Sequence, residues 1–265
     1  MSKTLTGLFT YPIKSCKGLS LKEVAVGNKG PEWDRRWMLV DATGRFITQR
    51  KYPELALVTA VVSGKHLEIC FPDGSTYLSS VNPTGDALEV EVWKDRCMAQ
   101  LTEPEIHRAF SDYLKIECRL VFIPEDSIRP VNTDYAVSPQ DQVSFADGFP
   151  FLVISEASLE DLNARLEAKV PMNRFRPNLV ISGCKPYEED SWKRIRIGEL
   201  ELEIVKPCSR CVVTTVEQST GVKGLEPLQT LALYRKGEKG ILFGQNAIHL
   251  SHGTLKLGDR VEVEI

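Results

Sequence analysis

The chain has 265 residues, enough for one large or two modest domains with a sizeable buried core. Its net charge is −3 with acidic and basic residues interspersed, and it has no basic block of the kind that binds nucleic acid. Its most apolar stretch is far too short to span a bilayer, and residues 1–6 lack the apolar core of a signal peptide. The seven cysteines, an odd number, fit free thiols in a reducing compartment. We therefore expect a cytoplasmic protein with no nucleic-acid partner and no membrane partner.

The first half of the chain predicts short strands separated by turns. Gly and Asp punctuate apolar runs at the spacing that is typical of a β-meander or barrel. One helix is expected at 104–115, because its apolar side chains recur every four residues, and His107 lies off that face and is expected at the surface. The predicted strands are 5–11, 22–26, 37–40, 46–48, 56–63 and 88–92.

The second half predicts more strands and two further helices. A polar segment, 126–142, is long for a loop and indicates a domain junction or a functional loop. Helices are expected at 155–168 and 226–235 from capping residues and leucine spacing. Strands are expected at 119–123, 179–182, 192–197, 199–205 and 261–265, with Gly198 as a hairpin turn. The chain is thus predicted to be mainly β, of the α+β class.

The stretch around Cys208 and Cys211 is the strongest candidate for chemistry. An apolar run precedes the two cysteines and a β-branched run, 212–216, follows them, which predicts a tight loop between two strands. A thiolate is a soft metal ligand, and the neighbouring Arg210 favours the charged form of a thiol.

Three other interpretations of the cysteine pair are open. A structural zinc site needs four ligands, and His249 and His252 stand alone without a second cysteine pair. A thioredoxin-like pair should open a helix, which β-branched residues start poorly. Two buried cysteines acting as small hydrophobes are common, although an arginine in the same loop argues against burial.

Several loops carry residues that bind anions. Lys14 and Ser15 lie in a glycine-containing loop, and Arg35 and Arg176 provide guanidinium groups just ahead of predicted strands. Each feature on its own is more typical of a solvated surface loop than of an anion site.

Taken together, six short motifs in a fixed order resemble the MOSC-domain molybdoenzymes, meaning the mitochondrial amidoxime-reducing component and its bacterial relatives. The resemblance covers nearly the whole chain and implies an N-terminal MOSC-type β-barrel domain, 1–118, and a C-terminal MOSC β-barrel domain with a few helices, 119–265. A molybdenum–molybdopterin cofactor is expected between the two. The motifs are Tyr11-Pro12-Ile13-Lys14-Ser15, Asp34-Arg35, Phe145-Ala146-Asp147-Gly148, Phe175-Arg176-Pro177-Asn178, Pro207-Cys208-Ser209-Arg210-Cys211 and Phe243-Gly244-Gln245-Asn246.

The resemblance also implies roles for individual residues. Cys211 matches the family's molybdenum ligand, and Asp147 matches an acidic position beside the metal, where it transfers a proton or caps its loop. Phe149 stands where the eukaryotic relatives carry a small polar residue. The positions that match cofactor contacts are Lys14, Ser15, Arg35, Arg176, Asn178, Ser209 and Arg210.

The implied activity is the reduction of small N-hydroxylated compounds, such as amidoximes, hydroxylamines and hydroxylated nucleobases. The chain ends at Ile265 without the cysteine cluster of a ferredoxin-like domain, so we expect no iron–sulfur cluster in it. Electrons are then expected from a separate flavoprotein reductase, ferredoxin or b-type cytochrome. The alternative is a carrier or sulfur-handling protein for the same cofactor.

Overall fold

The structure, a computed structural model, describes residues 2–265. Across those residues it has nineteen strands and three α-helices, which confirms the prediction of a mainly β protein. The strands are β1 (Lys3–Thr10), β2 (Leu19–Ser20), β3 (Glu23–Gly27), β4 (Gly30–Pro31), β5 (Trp37–Val40), β6 (Thr59–Ser63), β7 (His66–Cys70), β8 (Thr76–Ser80), β9 (Ala87–Val92), β10 (Asp95–Leu101), β11 (Arg119–Phe122), β12 (Phe151–Ser155), β13 (Leu179–Ser182), β14 (Arg194–Ile197), β15 (Leu200–Arg210), β16 (Lys236–Gly237), β17 (Gly240–His249), β18 (Gly253–Lys256) and β19 (Arg260–Glu264). The helices are α1 (Pro104–Leu114), α2 (Glu156–Asn163) and α3 (Leu228–Tyr234), and 3-10 turns span Pro53–Leu57, Met172–Arg174, Glu188–Ser191 and Val212–Thr215.

Seven strands form a closed barrel in the C-terminal part. Their order is β12-β13-β1-β19-β14-β15-β17, and pairing of β12 with β17 closes the ring. Closure leaves these strands without free edges and gives the barrel an apolar interior. The interior includes Leu5, Leu8, Val153, Ile181 and Leu202.

The N-terminal part is built from two smaller sheets, β5-β11-β10-β9 and β6-β7-β8. Helix α1 packs against them through Ile106, Phe110 and Leu114, the apolar face that the sequence predicts. Pro104 occupies the first turn, where its missing N–H costs nothing, and Lys115 ends the helix in a left-handed conformation.

The two parts share strands at their border. β1 lies in the C-terminal barrel and β3 pairs with β18, whereas β11 completes the N-terminal sheet beside β5. The division of the chain at residue 118 stays a prediction. The shared strands fix the loops of one part against those of the other, which matters for the cleft between them.

The residues after Cys211 do not form the predicted strand. Val212–Thr215 makes a 3-10 turn, because Thr214 donates its hydroxyl to Cys211 O at 3.0 Å and Thr215 donates to Val212 O at 2.8 Å. Threonine hydroxyls that bond to nearby carbonyls compete with strand pairing in this way. The cysteines thus lie at the end of β15 and on the turn that follows.

Other element boundaries also differ from the prediction. The predicted strand 46–48 is reduced to an isolated bridge at Phe46, and the predicted strand 56–63 begins as a 3-10 turn. Helix α2 ends at Asn163, whose side chain bonds both the N–H and the C=O of Val170 and so turns the chain back. His107 is half-buried and its Nε2 lies 3.1 Å from Leu120 O, so its predicted surface position was wrong.

None of the helices in residues 2–265 combines the length and the apolar character needed to cross a bilayer.

Candidate functional site

A cleft between the N-terminal part and the barrel contains every residue that the sequence singled out. The nine predicted positions that line it are Lys14, Ser15, Arg35, Asp147, Arg176, Asn178, Ser209, Arg210 and Cys211. They come from five separate loops or strand ends. The cleft is also lined by Thr48 and Arg50, which the sequence analysis did not select, and by Phe149, Cys208 and Asn246, which it named without a cofactor contact.

Three of the polar residues at the cleft adopt a backbone conformation that side chains rarely take. Ser15, Arg35 and Arg176 have φ values of 71°, 50° and 55°. A left-handed conformation at a residue other than glycine costs about 1–3 kcal/mol and is typical of functional sites. Local strain is thus concentrated where three side chains are aimed into the same cleft.

Tyr11 supports two of the arginines. The guanidinium carbons of Arg35 and Arg176 lie 4.1 and 4.2 Å from the centre of its ring, a cation–π arrangement. Burial raises the pKa of Tyr11 to about 12, against the opposing effect of Arg176 and Arg35. Burial also lowers the pKa of Arg176 to about 10, so its guanidinium is charged at neutral pH.

Asn178 holds Arg35 in place. Its Oδ1 accepts from Arg35 Nη1 at 3.1 Å and from Leu152 N at 3.2 Å, while its Nδ2 donates to Phe9 O at 3.2 Å. Asp34 accepts from the same Arg35 Nη1 at 2.5 Å. The amide of Asn178 is therefore committed to the protein, and its role in the cleft is to orient the guanidinium.

Lys14 and Asp147 form the ion pair at the centre of the cleft. Lys14 Nζ donates to Asp147 Oδ1 at 2.5 Å and to Phe145 O at 2.7 Å. Burial lowers the pKa of Lys14 to about 8, although Asp147 opposes the shift. The Asp147 side chain is 65% exposed within the open cleft. Its partial desolvation opposes ionisation, but Lys14, Arg50 and Trp93 outweigh this and hold its pKa well below the usual range.

The cation beside Cys211 is Arg50, which the sequence analysis missed. Arg50 Nη2 lies 3.5 Å from Cys211 Sγ. Arg210, expected to favour a thiolate at Cys211, instead places its Nη1 2.9 Å from Cys208 Sγ and donates to Phe175 O at 2.6 Å. Strand β15 continues through Arg210, and side chains two residues apart lie on the same face of a strand. Arg210 therefore faces Cys208 and not its neighbour in sequence, Cys211.

Comparison with known proteins gives the family. The MOSC N-terminal beta barrel domain model matches residues 2–117, and the MOSC domain model matches residues 140–262. This chain belongs to the MOSC-domain family that includes the mitochondrial amidoxime-reducing components.

Its relatives match it over nearly the full length. Mitochondrial amidoxime-reducing component 1 is 37% identical in Mus musculus and 38% identical in Homo sapiens, covering 97% of this chain in both cases and 81% and 82% of those proteins. The molybdenum cofactor sulfurase of Oryza sativa subsp. japonica is 35% identical over 91% of this chain, which corresponds to 32% of that larger protein.

The donor set of the cleft fits an anionic cofactor. Five cations line it, and Asp147 is the one carboxylate in that lining; the cations are Lys14, Arg35, Arg50, Arg176 and Arg210. Arg210 Nε is buried without a hydrogen-bond partner in residues 2–265, so a donor is free for a bound group.

The metal chemistry of the cleft points the same way. Within residues 2–265 no three His, Cys, Asp or Glu side chains come together as a metal-binding group. A metal at Cys211 would thus take its other ligands from a bound molecule, which suits a pterin dithiolene with a terminal phosphate.

Proposed function

We propose that this protein is a molybdenum-cofactor-dependent reductase of N-hydroxylated compounds, acting on amidoximes, hydroxylamines and N-hydroxylated nucleobases. The observation that carries the proposal is the position of Cys211. It lies in the wall of a strongly cationic cleft, in a chain that belongs to the family of the amidoxime-reducing components. A single soft ligand among phosphate-binding cations matches a pterin-bound metal better than a protein-built metal site.

The residues at the cleft divide between holding the cofactor and ligating the metal. Lys14, Ser15, Arg35, Arg176 and Arg210 would hold its phosphate and pterin, since guanidinium forks and hydroxyls bind phosphate oxygens well. Asn178 would keep Arg35 in position, and Ser209, which also lines the cleft, would contribute its hydroxyl to the cofactor. Cys211 would supply the thiolate ligand. When bound, the cofactor supplies two-electron reduction of the N–O bond.

The Lys14–Asp147 pair would provide a hydrogen-bond acceptor and a proton near the substrate. Conversion of an N-hydroxyl group to N–H consumes two electrons and two protons and releases water. Asp147 is ionised at neutral pH, so it acts as an acceptor that orients a substrate N–H. Lys14 Nζ, with a pKa of about 8, holds a proton 2.5 Å from that carboxylate.

Two further parts of the proposal concern the surroundings of the protein. The substrate is a small molecule, and the electrons come from a separate donor protein, either a flavoprotein reductase, a ferredoxin or a b-type cytochrome. A cytoplasmic location fits the free thiols of all seven cysteines.

The proposal is tested by turnover with an artificial reductant. Protein produced in a host that makes the molybdenum cofactor should convert an aryl amidoxime to the amidine with reduced viologen as electron source. Cys208→Ser is the matched control for Cys211→Ser, because it removes the other thiol that lines the same cleft. Retention of activity in Cys211→Ser, or no activity in a parent protein that contains molybdenum, would contradict the proposal.

A cofactor carrier or sulfur-handling protein is the second candidate. It is favoured by the similarity to the plant molybdenum cofactor sulfurase and by a second cysteine, Cys208, in the same cleft. A carrier should release the cofactor to an apo-molybdoenzyme within minutes, whereas a reductase should retain it through repeated turnover.

A further inference from the structure

Arg50 occupies a position that no motif predicted. Its guanidinium lies 3.5 Å from Cys211 Sγ and 3.8 Å from Asp147 Oδ2, so it spans the gap between the metal-ligand position and the substrate-facing carboxylate. It enters the cleft from the N-terminal part, opposite the barrel loops that carry Cys211. A planar cation at this point lies within 4 Å of both the proposed metal ligand and the one carboxylate of the cleft lining.

Trp93 fixes that position. The guanidinium carbon of Arg50 lies 4.2 Å from the centre of the indole ring, and Trp93 Nε1 donates to Asp147 Oδ1 at 3.2 Å. The indole packs edge-on against Phe46 at 4.9 Å. Trp93 is 41% exposed and has a φ of 60°, which is costly for a bulky side chain in a hairpin turn. The tip of the β9–β10 hairpin therefore aligns Arg50 with Asp147.

Each of the other cations of the cleft makes at least one hydrogen bond to a protein oxygen atom. Lys14 donates to Phe145 O, and Arg176 donates to Cys16 O at 2.7 Å. Arg35 and Arg210 likewise donate to Asp34 and to a backbone carbonyl. Among the cleft cations in residues 2–265, Arg50 is the one whose guanidinium donates to no oxygen atom. Its donors are thus available to a ligand.

We propose that Arg50 binds the oxygen atom of the substrate N–O bond and stabilises the charge on that oxygen as the bond breaks, with Trp93 as the positioning residue. This inference rests on the proposed reductase function. The N–O bond breaks as two electrons arrive from the donor protein, two protons are taken up, and the oxygen leaves as water. A guanidinium aimed at the departing oxygen stabilises it before it is fully protonated, as a preorganised oxyanion donor does.

The kinetic test compares Arg50→Met, Arg50→Lys and Trp93→Phe with Arg96→Met, a control on the β10 strand whose side chain is 68% exposed. Arg50→Met should retain molybdenum and lose about 10²-fold in kcat/KM, the usual effect of removing one such donor. Arg50→Lys should recover about tenfold of that loss, and Trp93→Phe, which keeps a ring but loses Nε1, should lose a few-fold. Arg96→Met should match the parent.

A second readout needs no turnover. In full-length protein made without cofactor, Cys211 is alkylated by iodoacetate and by iodoacetamide, and peptide mass spectrometry gives both rates. The ratio of the two rates reports the local positive charge, because the thiolate fraction cancels. Arg50→Met should lower the ratio several-fold, and Arg96→Met should leave it unchanged.

The outcomes separate this inference from the function on which it rests. Full turnover in molybdenum-loaded Arg50→Met, or an unchanged alkylation ratio, would overturn the role of Arg50 alone. Loss of molybdenum from Arg50→Met would make Arg50 a cofactor-holding residue and would also overturn it. A molybdenum-loaded parent that cannot reduce an amidoxime would overturn the reductase function itself, and this inference with it.

Discussion

Gln49 and Gln218 exchange a reciprocal pair of amide hydrogen bonds next to Ser15, a residue of the cleft lining. Gln49 Nε2 lies 3.3 Å from Gln218 Oε1, and Gln218 Nε2 lies 3.2 Å from Gln49 Oε1. Both residues are buried, and one belongs to the N-terminal part while the other follows the Cys211 turn. Gln49 also donates to Ser15 O at 2.6 Å, so this pair ties the loop of Ser15 to the segment that follows Cys211.

Breaking this pair should destabilise the protein. Gln49→Leu removes both hydrogen bonds to the buried amide of Gln218 and the bond to Ser15 O, which costs about 1–3 kcal/mol. Urea denaturation followed by circular dichroism should show a lower midpoint, with Gln229→Leu on the exposed face of α3 as the control. The double variant with Gln218→Leu should be less destabilised than the two single changes summed, and strict additivity would show that the two amides act independently.

Acid should weaken the fold through His249. This half-buried ring lies near Phe151, and burial, with a smaller contribution from His252, lowers its pKa to about 4. The unfolded chain binds a proton near pH 6.5, so stability is fully present above that pH and is lost as the pH falls towards 4. The unfolding free energy of the parent should fall between pH 7 and pH 5. In His249→Phe that fall should be smaller by about 1–2 kcal/mol. The control His66→Phe, at an exposed position, should show the same fall in unfolding free energy as the parent.

Asp147 should act as a carboxylate at all working pH values. Because its pKa is held well below the usual range, Asp147→Asn should lower kcat/KM by about 10–100-fold at every pH from 5 to 8 without moving the acid limb. Steady-state pH profiles of the parent and the variant measure this. A variant with an acid limb displaced by a full pH unit would mean that Asp147 itself titrates during turnover.

Lys14 should make cofactor retention sensitive to alkaline pH. Its pKa is lowered to about 8, so its charge is present below that pH and is lost above it, and attraction for an anionic group declines with it. Molybdenum loss on dialysis should be faster at pH 9 than at pH 7 in the parent. The Lys14→Arg variant keeps its positive charge at both pH values, so it should lose molybdenum equally fast at pH 7 and at pH 9. Equal loss from the parent at pH 7 and pH 9 would exclude Lys14 as a charged contact of the anionic cofactor.

The motifs that carry the family resemblance selected the cleft residues, and the strand pairing explains why these residues lie together. Lys14 comes after β1, and Arg176 and Asn178 come before β13, and these two strands are paired. Because β1 and β13 are antiparallel, the end of β1 lies next to the start of β13, and the loops that carry these three residues meet there. Apolar side chains at every fourth residue predicted α1, and Gly198 predicted the hairpin between β14 and β15, since those signals are local.

Arg50 and Trp93 escaped prediction because nothing near them in sequence distinguishes them from surface residues. Their importance arises from contacts between the N-terminal hairpin and a loop more than fifty residues away, such as Trp93 with Asp147. One local signal was present: a tryptophan sits at a hairpin turn, where small polar residues are usual. The 3-10 turn after Cys211 depended on threonine hydroxyl bonds that β propensity does not include.

The most direct test of the central claim is the molybdenum content of the purified protein and of its Cys211→Ala and Cys208→Ala variants. All three should be made in a host that synthesises the cofactor. The account predicts about one molybdenum per chain in the parent and in Cys208→Ala, and almost none in Cys211→Ala. Equal molybdenum in all three proteins, or none in the parent, would contradict the assignment of Cys211 as the metal ligand.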